Sequence, residues 1–450
     1  MYIKGALKNK VLHILILIAF AFFSSGSLWA QTGFKLPKGK KSGAIKFELV
    51  NNLVVVPVEI NNVKLSFLLD TGVTSTLLFG ASRDTLELRN TSTVMLRGLG
   101  KGEAVEALRS DRNQVKIGRA TDLDHSLYVI FDEELNFSQR MGVPIHGILG
   151  YDFFKNFVVS ISYSSKTIRY STPGNFKERR KKGYTTYPMH LEKGRPFINN
   201  VVINDGEESL MLVDIGSSDS IWIFDDVNVI SENEHNYFVD FLGLGISGSI
   251  YGKRSRVSEV SIGEFSFHDV NIAIPEPQAL VNATMMEGRK GSLGSQLMKR
   301  FNVIFDYPKS EISFKKNTHY DDPFYYNMSG LTLEHDGISL IRTAVGGSRG
   351  IAGNVQDSGA EVTGFTPTAN YKITLAQAIV VAEVRENSTA ALADVRVGDK
   401  LVLINGKFAH EYKLYEITSM FSSREGKLIS LKIERNGERF KKKFYLKKLF

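Results

Sequence analysis

The run Leu65-Ser66-Phe67-Leu68-Leu69-Asp70-Thr71-Gly72-Val73-Thr74-Ser75-Thr76-Leu77-Leu78-Phe79 decides how this chain is read. It ends an apolar, strand-like stretch in a carboxylate, and an ionised Asp in such a place is costly without a partner. The same design returns at Ser209-Leu210-Met211-Leu212-Val213-Asp214-Ile215-Gly216-Ser217-Ser218. Two aspartates in matched apolar settings point to one shared proton.

The repeat extends beyond these runs. Asp70 and Asp214, Leu149 and Leu293, Phe157 and Phe301, Tyr163 and Tyr307, and Ile168 and Ile312 all lie 144 residues apart, and Gly98-Leu99-Gly100 is followed by Gly243-Leu244-Gly245 at 145. An offset held over different features indicates internal duplication. Each half then reads as a β-rich lobe, and pairing of the lobes about a pseudo-two-fold axis brings Asp70 and Asp214 together. Within the first half, Ile45 to Leu49, Leu53 to Ile60 and Val63 to Leu69 read as strands, with Asn61-Asn62 as a tight turn. Thr93 to Leu108 reads as a hairpin whose glycine-rich tip, Gly98 to Gly102, projects far enough to cover a cleft. His146-Gly147-Ile148-Leu149-Gly150 reads as an apolar turn feeding a short helix.

At 450 residues the chain is expected to hold about three domains, and 43% hydrophobic with 23% charged residues suffices for sizeable cores. Residues 1–30 read as a secretory signal peptide: Lys4, Lys8 and Lys10 precede the apolar run Val11 to Phe23, and Leu28-Trp29-Ala30 offers a cleavage site. Export to a bacterial periplasm, envelope or exterior follows, with no stable membrane span after cleavage. The absence of Cys excludes thiol nucleophiles and thiolate metal sites. No His-Glu-x-x-His or close His pair occurs, so neither a metal nor any other cofactor is expected. The net charge of +8 is concentrated in Lys177 to Lys182 and Arg439 to Lys448. These clusters read as a solvated linker and one face of a terminal strand rather than as a nucleic-acid surface. Asp219 reads as a solvated or turn-capping carboxylate. Gly243-x-Gly245-x-x-Gly248 fits a dinucleotide pattern but lacks a following helix, so it reads as a second hairpin tip.

Two close carboxyl groups hold one proton over a broad pH range. The ionised member takes a proton from water while the protonated member donates to a peptide carbonyl. Gly72 and Gly216 allow tight turns that aim backbone N–H groups at the carboxylates, and the hydroxyls of Thr71 and Ser217 are placed to orient them. At this point residues 44–316 resemble the pepsin-like and retroviral-type aspartic proteases. Asp70-Thr71-Gly72 matches their Asp-Thr-Gly signature, and Ile148-Leu149-Gly150 and Leu293-Gly294 match the apolar-apolar-Gly motif behind each catalytic loop. The resemblance implies an all-β fold of two lobes around a cleft, a peptide or protein substrate, Asp70 and Asp214 as the dyad, and Gly98, Leu99 and Gly100 in a substrate-covering flap. There are three departures: Ile215 stands where the family usually has Thr or Ser, Val73 leaves only Ser217 as a hydroxyl after the glycine, and the flap lacks a Tyr. The alternative reading is a peptide-binding envelope protein on the same scaffold that does not cut.

Residues 320–450 resemble a PDZ domain, a small α+β unit, through Asn387-Ser388-Thr389-Ala390-Ala391 and Val397-Gly398-Asp399-x-Leu401-x-x-Ile404-Asn405-Gly406. That resemblance implies that Ser329, Gly330 and Leu331 form a loop cradling the carboxylate of a C-terminal peptide ligand. A Gly- and Ser-rich insertion runs from Gly346 to Gly364, and a helix is expected around Tyr412 to Phe421. The expected plan is thus a signal peptide at 1–30, lobes at 31–175 and 184–316 joined by a basic linker at 176–183, and a final domain at 320–450.

Overall fold

The computed structural model describes residues 33–80, 86–132, 135, 137–177, 181–224, 237–281, 286–345 and 370–450. The expected signal peptide, the centre of the basic linker and the Gly346 to Gly364 insertion lie outside the described residues.

Alternating apolar positions and paired asparagines build the first sheet. Asn61 and Asn62 both take positive φ, 47° and 71°, which turns the chain tightly between strands Leu53–Ile60 and Val63–Leu69. The eight-stranded sheet runs in the order Glu48–Val50, Leu53–Ile60, Val63–Leu69, Gly147–Leu149, Thr76–Phe79, Ala120–Ile130, Val105–Ile117, Thr91–Leu96. The second half repeats that order strand for strand: His190–Glu192, Arg195–Ile203, Ser209–Val213, Arg289–Leu293, Ile221–Ile223, Phe265–Pro275, Gly248–Ile262, Phe238–Gly245.

The stretch expected as an apolar turn is a strand. Gly147–Leu149 threads between the strands on either side of Asp70, parallel to Val63–Leu69 and antiparallel to Thr76–Phe79, and the helix Tyr151–Phe154 follows it. Glycine is needed there because a Cβ on Gly147 would lie 2.2 Å from the Leu77 carbonyl oxygen, and one on Gly150 would lie 2.3 Å from that of Val73. Gly291 and Gly294 show the same crowding in the second lobe, against Trp222 and Asp219.

A six-stranded sheet joins the lobes, in the order Ser42–Lys46, Thr167–Ser171, Val158–Ser162, Phe301–Asp306, Glu311–Lys316, Thr185–Pro188. At its centre Ser160 faces Ile304, so residues 144 apart pair directly and the pseudo-two-fold axis passes between them. Phe154, Phe157, Ile161, Phe301, Phe305 and Phe314 are buried in one core that spans both lobes. That continuous apolar core, rather than a linker, fixes one lobe against the other.

The C-terminal unit has its own sheet, Leu331–Val345, Asn370–Val384, Lys400–Ile404, Leu428–Arg435 and Glu438–Tyr445, with Lys407–Phe408 beside Lys400–Ile404. Helices Thr389–Leu392 and Leu414–Phe421 accompany it. Its core of Met328, Leu331, Ile379, Ile404, Ile417, Phe421 and Ile429 is separate from that of the lobes. No helix among the described residues is long and apolar enough to cross a membrane.

Candidate functional site

Each aspartate sits where its strand ends. The Asp70 N–H donates to the Leu149 carbonyl at 3.0 Å, and the Asp214 N–H donates to that of Leu293 at 2.9 Å, so the threaded strand of each lobe fixes its carboxylate. Beyond them the chain turns back. The Gly72 N–H donates to Asp70 Oδ1 at 2.6 Å, and the N–H groups of Gly216 and Ser217 donate to Asp214 Oδ1 at 2.9 and 3.2 Å. Both glycines are needed for a further reason. A Cβ on Gly72 would lie 3.0 Å from the Asp214 carboxyl carbon, and one on Gly216 would lie 2.1 Å from that of Asp70. The structure thus brings Asp70, Asp214, Gly72, Gly216 and Ser217 together. Ser217 contributes its backbone N–H to the carboxylate.

The two carboxyl groups are hydrogen-bonded to each other, and burial pushes both above the ordinary carboxylate range. Asp70 rises further, because the Asp214 charge adds to the effect of burial. Asp214 is held back by the Arg289 guanidinium. One proton therefore belongs to the pair. Arg289 is drawn in by its own contacts: its Nε donates to the Gly291 carbonyl at 3.1 Å and its Nη2 to Ser292 Oγ at 2.6 Å, and its guanidinium lies 4.7 Å from the Phe224 ring centre. Nothing in its immediate sequence marks it, but its counterpart 144 residues earlier is Ile145. A charge in only one copy of a duplicated position was the available signal. Tyr307, marked in the sequence only by its repeat with Tyr163, lies behind the pair: its ring stacks on Phe154 at 5.3 Å, and burial and the Asp70 charge raise its hydroxyl pKa.

Thr71 ties the loops across the lobe boundary. Its hydroxyl donates to the Val213 carbonyl at 2.6 Å and accepts from the Ile215 N–H at 3.1 Å, fully buried. Ile215 returns no such bond and packs in the shared core instead. Its carbonyl accepts from Ser295 Oγ at 2.7 Å, which anchors the second loop within its own lobe.

Gly98, Leu99 and Gly100 lie at the tip of the first long hairpin, and the tip meets its counterpart from the second lobe. The Gly98 N–H donates to Ser247 Oγ at 3.2 Å, the Ser247 N–H to the Leu99 carbonyl at 3.0 Å, and the Gly102 N–H to the Ser247 carbonyl at 2.7 Å. Gly100, at φ 122°, leaves no room for a side chain against Ser247. Leu96, Leu244 and Ile246 from the hairpins share an apolar cluster with Val73, three residues beyond Asp70. The Gly243 to Gly248 pattern is thus a hairpin tip, with Gly245 facing Gly248.

Ser329, Gly330 and Leu331 lie elsewhere, buried at the start of the C-terminal sheet. Their donors are already engaged: the N–H groups of Ser329 and Gly330 donate to Asn327 Oδ1 at 3.1 and 3.2 Å, and that of Leu331 donates to Ser329 Oγ at 3.1 Å. Asp219 is neither solvated nor a cap. It is half-buried and accepts from Arg254 Nη1 and Trp222 Nε1, both at 2.7 Å, because the fold carries Arg254 over it from a distant strand. Among the described residues, no group of three or more His, Cys, Asp or Glu side chains is placed to hold a metal ion.

A family model described as aspartyl protease matches residues 56–153, from within strand Leu53–Ile60 to the helix Tyr151–Phe154 after the threaded strand. Among solved structures, the chain is similar to an aspartic proteinase from Irpex lacteus, at 14% identity over 62% of this chain and 99% of that one, with a TM-score of 0.40. No curated protein matches it. The family match supports protease chemistry.

Proposed function

We propose that the protein is an aspartic endopeptidase that cuts internal peptide bonds by direct attack of water, with Asp70 and Asp214 as its catalytic residues. The observation that carries this reading is the mutual fit of the two loops, in which each glycine leaves room only for the other loop's carboxyl group. The ionised carboxyl of the pair takes a proton from water. The water oxygen attacks the peptide carbonyl carbon while the proton held by the other carboxyl passes to the carbonyl oxygen. Collapse of the resulting diol returns a proton to the leaving amine and restores the shared-proton pair, so neither a covalent intermediate nor a cofactor enters. The interlocked hairpin tips cover the substrate, and a peptide or protein chain enters when they part.

The missing hydroxyl at Ile215 favours a second reading, a scaffold that binds peptides without cutting them. Against it, Thr71 still ties the loops and Ser295 anchors the loop that Ile215 leaves without a hydroxyl. Export to a bacterial periplasm or exterior suits such an enzyme and belongs to the same proposal. Incubation of the full chain with denatured casein across acid and neutral pH, beside Asp70→Ala, tests the reading. Fragmentation by the wild type alone supports it, and equal fragmentation by both proteins sinks the dyad assignment.

A further inference from the structure

We propose that Arg385 is a positioning residue for peptide cleavage, through which the C-terminal unit holds the second-lobe hairpin and the loop behind Asp214 in their working arrangement. The proposal rests on the protease reading above and adds to it a role for residues far from the dyad.

The contacts form one chain. Arg385 follows strand Asn370–Val384 of the C-terminal unit, and its side chain is only 6% exposed. Its Nη1 lies 3.8 Å from Asp240, on the outermost strand of the second lobe, Phe238–Gly245. Asp240 accepts from Arg254 Nε at 3.0 Å, and Arg254 Nη1 donates to Asp219 at 2.7 Å. Asp219 stands five residues after Asp214, in the loop whose earlier N–H groups hold that carboxylate. Charges of alternating sign therefore run from the C-terminal unit to the catalytic loop, none more than 20% exposed. Guanidinium groups suit this role, since their planar donors fix direction as well as charge.

Apolar contacts run beside the charges. The Phe238 ring stacks on Phe450 at 5.5 Å with 12° between the planes and lies 5.4 Å from Tyr326, while the Arg385 guanidinium sits 4.0 Å from its centre. The base of the second hairpin is thus seated in the C-terminal unit, and its tip at Ser247 bonds to the first hairpin. A further strap comes from the first lobe: Arg140 donates to Glu383 at 3.0 Å, and its guanidinium lies 4.3 Å from the Phe241 ring centre. Movement at Arg385 has rigid, buried contacts along which to reach both hairpins.

The test uses the full chain with Arg385→Met, Arg385→Lys and, as a control, Arg396→Met, which removes an exposed ion pair to Asp394 in the same unit. Hydrogen exchange over residues 238–250 reads the hairpin directly, and KM and kcat are measured for a peptide that the wild type cuts. In Arg385→Met, exchange at 238–250 should quicken by about tenfold, and KM should rise about fivefold with a smaller change in kcat. Arg385→Lys should recover part of both effects, and Arg396→Met should behave as wild type. Folded Arg385→Met with exchange and KM unchanged would overturn the positioning role, and so would the same changes in Arg396→Met. If Arg385→Met fails to fold, Arg385→Lys and Asp240→Asn carry the same two readouts. Absence of any wild-type cleavage overturns the protease reading, and the positioning role with it. Cleavage beside an unmoved hairpin overturns the positioning role alone.

Discussion

The loops that carry Asp70 and Asp214 are duplicates, yet they are braced differently. Behind the first, Thr76 Oγ1 bonds His125 Nε2 at 2.7 Å and His125 Nδ1 bonds Asp122 at 2.8 Å, all three buried and all within one lobe. Behind the second, the equivalent hydroxyl of Ser220 bonds Gln296, whose amide donates to the Tyr325 carbonyl at 2.8 Å, and Asp219 leads through Arg254 and Asp240 to Arg385. One brace closes on itself and the other opens towards the C-terminal unit. The brace behind Asp70 is therefore self-contained, whereas the one behind Asp214 runs on into the C-terminal unit.

The largest expected effect tests the closed brace. His125→Ala leaves Asp122 buried without its partner and should cost about 3 kcal/mol of unfolding free energy at pH 7, read by urea titration. Burial pushes the Asp122 pKa up, but the His125 hydrogen bond and charge bring it below the ordinary 3.8. A depressed carboxylate stabilises the fold above its unfolded value and loses that contribution as pH falls through its folded value. The gap between variant and wild type should therefore narrow below pH 3.8. A gap that is constant with pH would show that His125 acts by packing alone.

Thr71→Val should cost about 2 kcal/mol, because it strands a buried carbonyl at Val213 and a buried N–H at Ile215. The loss should appear in both thermal unfolding and kcat, since the tie spans the two loops. If only stability falls, the tie does not orient the dyad. Arg289→Met should have the smallest effect on the fold and a directional effect on activity. Without the guanidinium the Asp214 pKa rises, so the acid limb of the pH–rate profile moves to higher pH. An unmoved limb would show that Arg289 does not influence the ionisation of the pair.

Much of the site was legible in the sequence because duplication repeats its signal. The constant offset paired Asp70 with Asp214 and located both hairpin tips, and the Asn61-Asn62 turn fixed the register of the strand that delivers Asp70. The joining sheet was not legible, since the contact of Ser160 with Ile304 depends on long-range pairing that leaves no local pattern. Gly147 to Leu149 read as a turn because three residues are too few to show a strand period. The Asp219, Arg254, Asp240 and Arg385 chain was hidden for another reason: each residue alone looks like a solvated charge, and only the fold buries them against one another. Here too one copy carries a clue, for Asp219 corresponds to Ser75 in the first half.

The shared-proton pair at Asp70 and Asp214 is tested most directly by titrating a pepstatin-type inhibitor into the full chain at acid pH and measuring binding by calorimetry. Binding to the wild type that is lost in Asp214→Asn is the expected result. Equal binding by the two proteins, or none by the wild type, would contradict it.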